Sequence, residues 1–274
     1  MILLDYSQIA LSNIIVQRLN DESMIRHMIL NSIRMYNKKY RDQYGQMVIC
    51  ADGMNTWRKD YFPLYKAHRR KNREESDQDW NEIFRILHLV RDEIKENLPY
   101  KVLHMDGVEA DDIIASLAMF TQEFGNDEPV MIVSSDKDFI QLQKFNNVKQ
   151  YSPIQKKMVS DDNPRIYAFN HVMRGDAGDG VPNVLSADDT FVTDKTQTPL
   201  RQAKINEWLE NSDNLKDIMD ENTFRNYQRN KKLIDLTEIP EEIQESIINN
   251  YVEQPIAMRM KVLNYLITNL GYFR

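Results

Sequence analysis

A single cysteine, Cys50, stands among the 274 residues, so no disulfide can form within the chain. Cys50 lies in an apolar run and reads as a buried, inert thiol. No apolar stretch approaches the length of a membrane span, and no charged-then-apolar leader opens the chain. MILLDYS at the start reads as a buried first strand instead, and an intracellular protein without membrane contact is expected. The five histidines, at 27, 68, 88, 104 and 171, fall in no zinc-like spacing. Internal repeats, low-complexity tracts and long flexible linkers are also missing. With 28% charged and 42% hydrophobic residues, the composition suits one large domain, or a domain with a smaller appendage.

What is present is a set of acids at the ends of apolar runs. Asp5 follows ILL, Asp52 follows MVICA, Glu109, Asp111 and Asp112 open GVEADDIIASLA, and Asp136 and Asp138 follow MIVSS. Asp176 and Asp179 lie in a separate segment, RGDAGDGVPN. Setting these nine aside from the 42 acids leaves 33 against 35 Lys and Arg, so the net charge of −7 conceals a slightly basic remainder. From Trp57 to Arg73 the chain carries seven basic residues (58, 59, 66, 69, 70, 71 and 73) against Asp60, interleaved with aromatics. Such a block suits phosphate contact, or a solvated helix face.

Apolar runs at 1–5, 46–51, 100–105 and 129–134 read as strands, with helical periodicity at about 22–40, 78–97 and 109–123 between them. Asp77-Gln-Asp79 makes an acidic helix start and Pro99 a stop. This alternation predicts an α/β fold, a mostly parallel central sheet flanked by helices, over residues 1–160. Strand signals then cease. Helices are expected at 163–174, 199–211, 222–236, 241–252 and 255–269, giving a smaller all-helical part over 161–274. The terminal GYFR reads as a fraying tail. Trp80 and Trp208 read as packing residues.

The carboxyl ends of parallel strands are where an α/β sheet builds its site. Glu109 and Asp112, three apart, share a face in the first turn of a helix; they cap it, or serve chemistry, or both. Asp136 and Asp138 alternate after a strand and can point into one cleft, although one of them could cap the following helix. Asp5 and Asp52 alone would be ordinary turn residues. Together, so many negative charges within a few ångströms require divalent cations held by oxygen ligands.

These motifs, in order, resemble the flap endonuclease and 5′-nuclease family, and within it the branch from T-even bacteriophages. The resemblance rests on LLDYSQIALS at 3–12, HMILNSI at 27–33, Asp52, WRKDY and YK between Trp57 and Lys66, REES at 73–76, VEADD, SSDKDF, NVKQYSP at 147–153 and GDAGD at 175–179. It implies a PIN/5′-nuclease-like α/β domain with a helical arch at about 57–75, and a helical DNA-binding domain with a divergent helix-hairpin-helix element. It implies two Mg²⁺ ions, replaceable by Mn²⁺. Asp5, Asp52, Glu109 and Asp111 would lie nearest the first ion, Asp136, Asp138 and Asp179 around the second, and Asp112 and Asp176 near both.

In the implied arch Tyr65 stacks on a base, Lys66 and Arg69 neutralise the attacked phosphate, and Arg58, Lys59, Arg70, Lys71 and Arg73 contact or steer the strand. Gly178 and Gly180 would let duplex phosphates approach, with K⁺ at the hairpin in the family's common pattern. Here Leu185-Ser-Ala-Asp-Asp189 departs from that pattern, and its two acids argue against tight anchoring, leaving Lys195, Arg201 and Lys204 as alternative duplex contacts.

The activity implied is a 5′→3′ exonuclease and flap endonuclease with RNase H activity. It would act on RNA–DNA hybrid, 5′-flap and fork DNA as a monomer, beside a single-stranded DNA-binding protein, in the cytoplasm of a phage-infected bacterium. The alternatives are a toxin-like single-strand ribonuclease of the PIN superfamily and a catalytically silent DNA-binding protein.

Overall fold

The computed structural model describes residues 1–17, 21–123, 126–193, 195–257, 261–262 and 265. The first half of the chain runs β1 (Ile2–Asp5), α1 (Tyr6–Gln17), α2 (Glu22–Tyr44), β2 (Met47–Ala51), α3 (Trp57–Tyr61), α4 (His68–Glu74), α5 (Trp80–Asn97), β3 (Lys101–His104), α6 (Ala110–Phe120) and β4 (Val130–Val133). A 3₁₀ turn over Asp138–Lys144, β5 (Val148–Ser152) and β6 (Lys157–Val159) follow. The remainder is helical: α7 (Pro164–Arg174), α8 (Gln202–Glu210), α9 (Leu215–Ile218), α10 (Glu221–Ile234) and α11 (Glu241–Glu253). The helix expected over 255–269 begins in irregular chain at 254–257, and its later part, like GYFR, lies mostly or wholly outside the described residues.

The chain divides into two compact units, one of residues 1–54, 79–160 and 241–274, the other of 55–78 and 161–240. The stretch expected as the arch thus groups with the helical segment, and α11 with the sheet.

In the first unit six strands lie in the order β3-β2-β1-β4-β5-β6, all parallel except β6. Ile2, Leu3, Leu4, Val48, Ile49, Val130, Ile132 and Val133 are fully buried, as strands covered on both faces must be. Each such side chain contributes about 1.5–3 kcal/mol by leaving water. The four strands expected from apolar runs are present; β5 and β6 are additional. Lys149 and Gln150 break the apolar run of β5, whose burial alternates instead.

Asp79 caps α5 by accepting from Glu82 N at 3.1 Å, and Ile83, Ile86, Leu87, Val90 and Ile94 give that helix one buried stripe. Ile113, Ile114, Ala115, Leu117 and Ala118 of α6 are completely buried, because α6 packs on β1 and β2 and is covered by α11. Gln254 closes the outer edge of β3, accepting from Val102 N and donating to Val102 O, each at 2.8 Å.

The second unit has two small cores. One joins Phe62, Tyr65, Val172, Val181, Leu233 and Ile234; the other joins Met173, Val184, Ile205, Trp208, Leu215 and Met219. Polar residues of α10 hold the 182–186 loop. Asn230 donates to Val172 O and Pro182 O, and Asn226 to Val184 O and Ser186 O. No helix of the described residues is long and apolar enough to cross a membrane.

Candidate active site

Strand order reverses between β1 and β4: the chain moves outward through β2 and β3, then returns to the other side of β1. At such a switch point the loops leaving neighbouring strands part, and a cleft opens at the carboxyl edge. Asp5 ends β1 beside Cys50 of β2, and Asp52 directly follows β2. Asp136 and Asp138 follow β4, and Glu109, Asp111 and Asp112 begin the helix after β3. The seven acids of the first unit are thereby delivered to one sheet edge.

Hydrogen bonds then fix them. Asp5 Oδ1 accepts from Gln8 N at 3.1 Å and Oδ2 from Ser134 Oγ at 2.9 Å. Ser134 Oγ in turn accepts from Asp136 N at 3.1 Å, and Asp136 Oδ1 from Asp138 N at 2.9 Å. Asp52 Oδ1 accepts from Ala110 N at 2.9 Å, tying the loop after β2 to the start of α6. Glu109 and Asp112 form a capping box, with Asp112 Oδ2 accepting from Glu109 N at 3.0 Å. Capping is therefore true of EADD, and Asp136 accepts from the backbone of the first residue of the 3₁₀ turn. Asp112 is fully buried, Asp5 7% and Glu109 6% exposed, whereas Asp52 is open to solvent.

The electrostatics register in Cys50. Burial first, then the charges of Asp5, Asp111 and Asp52, push its thiol well above the ordinary range. The thiol is sealed, and three carboxylates from three separate stretches act on one buried atom. His104, at the end of β3, has its pKa lowered by burial and then by Arg91, on the α5 side. The donor set at the edge is carboxylate oxygen, which suits Mg²⁺ or Mn²⁺ and not a soft metal.

Sequence reasoning missed the frame that positions these acids. Gly53 N donates to Val108 O at 2.8 Å, and a Cβ on Gly53 would fall 1.7 Å from Met105 O. The loops after β2 and β3 touch through a residue that must lack a side chain. Gln150 Nε2 donates to Ser134 O and Asp136 O from the neighbouring strand. The available signals were the glycine directly after Asp52 and a buried polar residue inside β5.

Asp176 and Asp179 belong to the second unit, where they meet the basic stretch. Asp179 accepts from Tyr65 Oη at 2.6 Å and Arg69 Nη2 at 2.6 Å, with Lys66 Nζ at 3.5 Å. Burial raises its pKa, Lys66 and Arg69 pulling the other way. Asp176 accepts from Asp179 N at 3.1 Å and lies 3.4 Å from His171. Burial would raise Asp176, but the His171 and backbone hydrogen bonds outweigh it and its pKa is lowered.

Several expected roles change on this geometry. Tyr65 is 2% exposed, its ring packed among Phe62, Val172 and Leu233, so it offers no free face for a base. Arg58 is 3% exposed and donates to Leu233 O at 2.9 Å, which makes it a pin rather than a phosphate contact. Gly180 has φ +72, and a Cβ there would meet His68 Nδ1 at 2.9 Å; a side chain of the same unit occupies its close approach. Gly178, Lys59, Arg70, Lys71 and Arg73 are exposed, although Arg70 pairs with Glu74 at 2.9 Å and Lys71 with Glu75 at 3.9 Å. The acids thought to repel DNA are neutralised, Asp188 by Arg225 and Arg229 and Asp189 by Lys195.

A parallel sheet with carboxylates following its strands at the switch point defines an α/β protein of the kind that builds its site at that edge. The 5′-3′ exonuclease N-terminal resolvase-like domain profile matches residues 7–169, and the T4 RNase H C-terminal profile matches 162–270. The chain is 37% identical to the ribonuclease H of Enterobacteria phage T4 over 97% of its own length and 90% of that protein. It is 28% identical to a 5′-3′ exonuclease of Buchnera aphidicola subsp. Schizaphis graminum, over 60% of the chain and 56% of that protein. The crystal structure of the T5 D15 protein with metal ions superposes with a TM-score of 0.65 at 16% identity, covering 92% of this chain and 98% of that one. The chain belongs to the 5′–3′ exonuclease family, in the part that includes T4 ribonuclease H, and it is a 5′ nuclease enzyme.

Proposed function

We propose that this enzyme removes RNA primers and adjacent DNA from lagging-strand fragments, cutting RNA–DNA hybrid, 5′-flap and fork substrates with two Mg²⁺ ions. The reading is supported by the placement of Asp5, Asp52, Glu109, Asp111, Asp112, Asp136 and Asp138, which follow the parallel strands or open the helix after β3 at the carboxyl edge of the sheet. These carboxylates would hold the ions, which when bound activate the attacking water and clamp the scissile phosphate. The Asp5 carboxylate is held by the Ser134 hydroxyl and Gln8 N, and the Asp136 carboxylate by Asp138 N. T5 D15, of the same fold, was crystallised as a pseudo-enzyme–product complex with DNA and metal ions.

Lys66 and Arg69 supply positive charge to the strand, exchanging Asp179 for a phosphate. Tyr65 is assigned a positioning part: its hydroxyl orients Asp179, which in turn orders both cations. Arg70, Lys71 and Arg73 steer the strand. The family further suggests a monomer working beside a single-stranded DNA-binding protein in the infected host's cytoplasm.

The test is a 5′-labelled RNA–DNA hybrid and a 5′-flap duplex, each with and without Mg²⁺. Both are cut in Mg²⁺ and neither in EDTA, and Asp138→Asn binds the flap normally but cuts at least ~100-fold more slowly. A normal rate for Asp138→Asn refutes the site assignment. Cleavage confined to single-stranded RNA favours the toxin-like ribonuclease instead.

A further inference from the structure

A second basic stretch lies in the first unit. Between Lys137 and Ser160 the chain carries Lys137, Lys144, Lys149, Lys156 and Lys157 against one acid, Asp138. In a chain of net charge −7 this is a concentrated positive region. It folds into the 3₁₀ turn, β5 and the β5–β6 hairpin, at the margin of the sheet.

The hairpin is built onto the acidic edge. Ser152, the last residue of β5, donates through Oγ to Ser135 Oγ at 2.7 Å, and Ile154 N donates to the same Ser135 Oγ at 3.1 Å. Ser135 N itself donates to Gln8 Oε1 at 2.5 Å. Ser135 is the residue directly before Asp136. Lys157 pairs with Ser152 across the antiparallel ladder, which places it at the carboxyl end of the sheet, and Lys156 sits in the turn with φ +53. Lys156 and Lys157 are exposed, and neither enters an ion pair among the described residues. Two exposed lysines without an ion pair among the described residues therefore lie on a hairpin anchored to the segment that carries Asp136.

We propose that the β5–β6 hairpin is a backbone clamp in which Lys156 and Lys157 hold nucleic-acid phosphates next to the acidic edge; this rests on the nuclease reading above. β6 lies two strands from β4, about 10 Å at the usual spacing. The phosphates held are thus within a few nucleotides of the one at the acids. An acidic protein segment would satisfy the same charges. The link to Ser135 favours nucleic acid, because a strand engaged at the acids must pass the hairpin within those few nucleotides.

The test compares wild type with Lys156→Ala/Lys157→Ala, binding a 5′-flap duplex by fluorescence anisotropy in EDTA, across about 50–200 mM salt. The double variant binds roughly tenfold more weakly at the low end, and its slope of log K against log salt is shallower by about 1.4–1.8. Neutral methylphosphonates placed about one to three nucleotides from the cleavage position weaken the wild type and leave the variant unchanged. Unchanged thermal unfolding shows that the fold is intact, and Lys156→Glu/Lys157→Glu must weaken binding further. Equal affinity and slope in wild type and double variant overturn the proposal, as does a variant that loses only affinity for a poly-glutamate peptide. Because binding is read without metal, a wild type that fails to cut in Mg²⁺ sinks the nuclease reading separately.

Discussion

Replacing Gly53 by alanine probes the frame that holds the acids. The new Cβ would start 1.7 Å from Met105 O, 2.7 Å from Met105 C and 2.9 Å from Val108 O, all backbone atoms that no rotamer change can move. Reaching ordinary contact requires a displacement of roughly 1.5 Å. The shift strains three connections: Gly53 N to Val108 O, Gly107 N to Met54 O and Ala110 N to Asp52 Oδ1. Overpacking of about 1–3 kcal/mol plus a weakened hydrogen bond or two at ~1 kcal/mol each gives a loss of about 2–5 kcal/mol. For a chain of this size that lowers the first unfolding transition by roughly 5–15 °C. Asp52 and the first turn of α6 also move relative to each other, and a misplacement on the order of 1 Å costs about 100-fold in rate. Differential scanning calorimetry and single-turnover flap cleavage measure the two effects. Gly45→Ala is the control: φ is +78 with nothing within 4 Å of the added atom, so it costs about 1 kcal/mol in backbone strain and leaves cleavage alone. A Gly53→Ala protein that melts with the parent and cuts at the parent's rate refutes the argument.

Arg58→Ala lowers stability by about 2 kcal/mol, through loss of the bond to Leu233 O, without altering the salt slope of DNA binding. Arg70→Ala/Lys71→Ala does the reverse, since both side chains are exposed: stability barely changes and the slope becomes shallower. Burial tends to raise the pKa of Asp188, but hydrogen bonds from Arg225 and Arg229 outweigh it and the carboxyl is held below its ordinary value. Its stabilisation is therefore complete above the unfolded carboxyl pKa near 4 and is lost as pH falls through the lower folded value. Urea titrations of wild type and Asp188→Asn accordingly differ at pH 6 and converge towards pH 2; a constant difference across that range would contradict the pairing.

Much of the architecture was legible because it follows from short-range physics. Strands buried on both faces must be apolar along their whole length, so β1, β2, β3 and β4 announced themselves, and Asp79 and Pro99 marked the ends of α5. β5 escaped because one of its faces carries Lys149 while Gln150 is buried as a hydrogen-bond donor, which destroys the apolar run. α1 escaped because its apolar residues continue those of β1 without a break. The chemistry of the acids was equally visible, since a carboxylate at a strand end remains a carboxylate in any fold.

What residue order alone determined, then, was which acids follow which strands, with a parallel sheet to carry them. Tertiary structure decided which of the charged groups are available. Tyr65 and Arg58 became buried supports, Asp188 was neutralised by cations distant in sequence, and Lys156 and Lys157 were set on a hairpin bonded to Ser135. The reason is that exposure and pairing depend on residues brought together across tens of positions, whereas strand and helix formation depends on neighbours a few residues away.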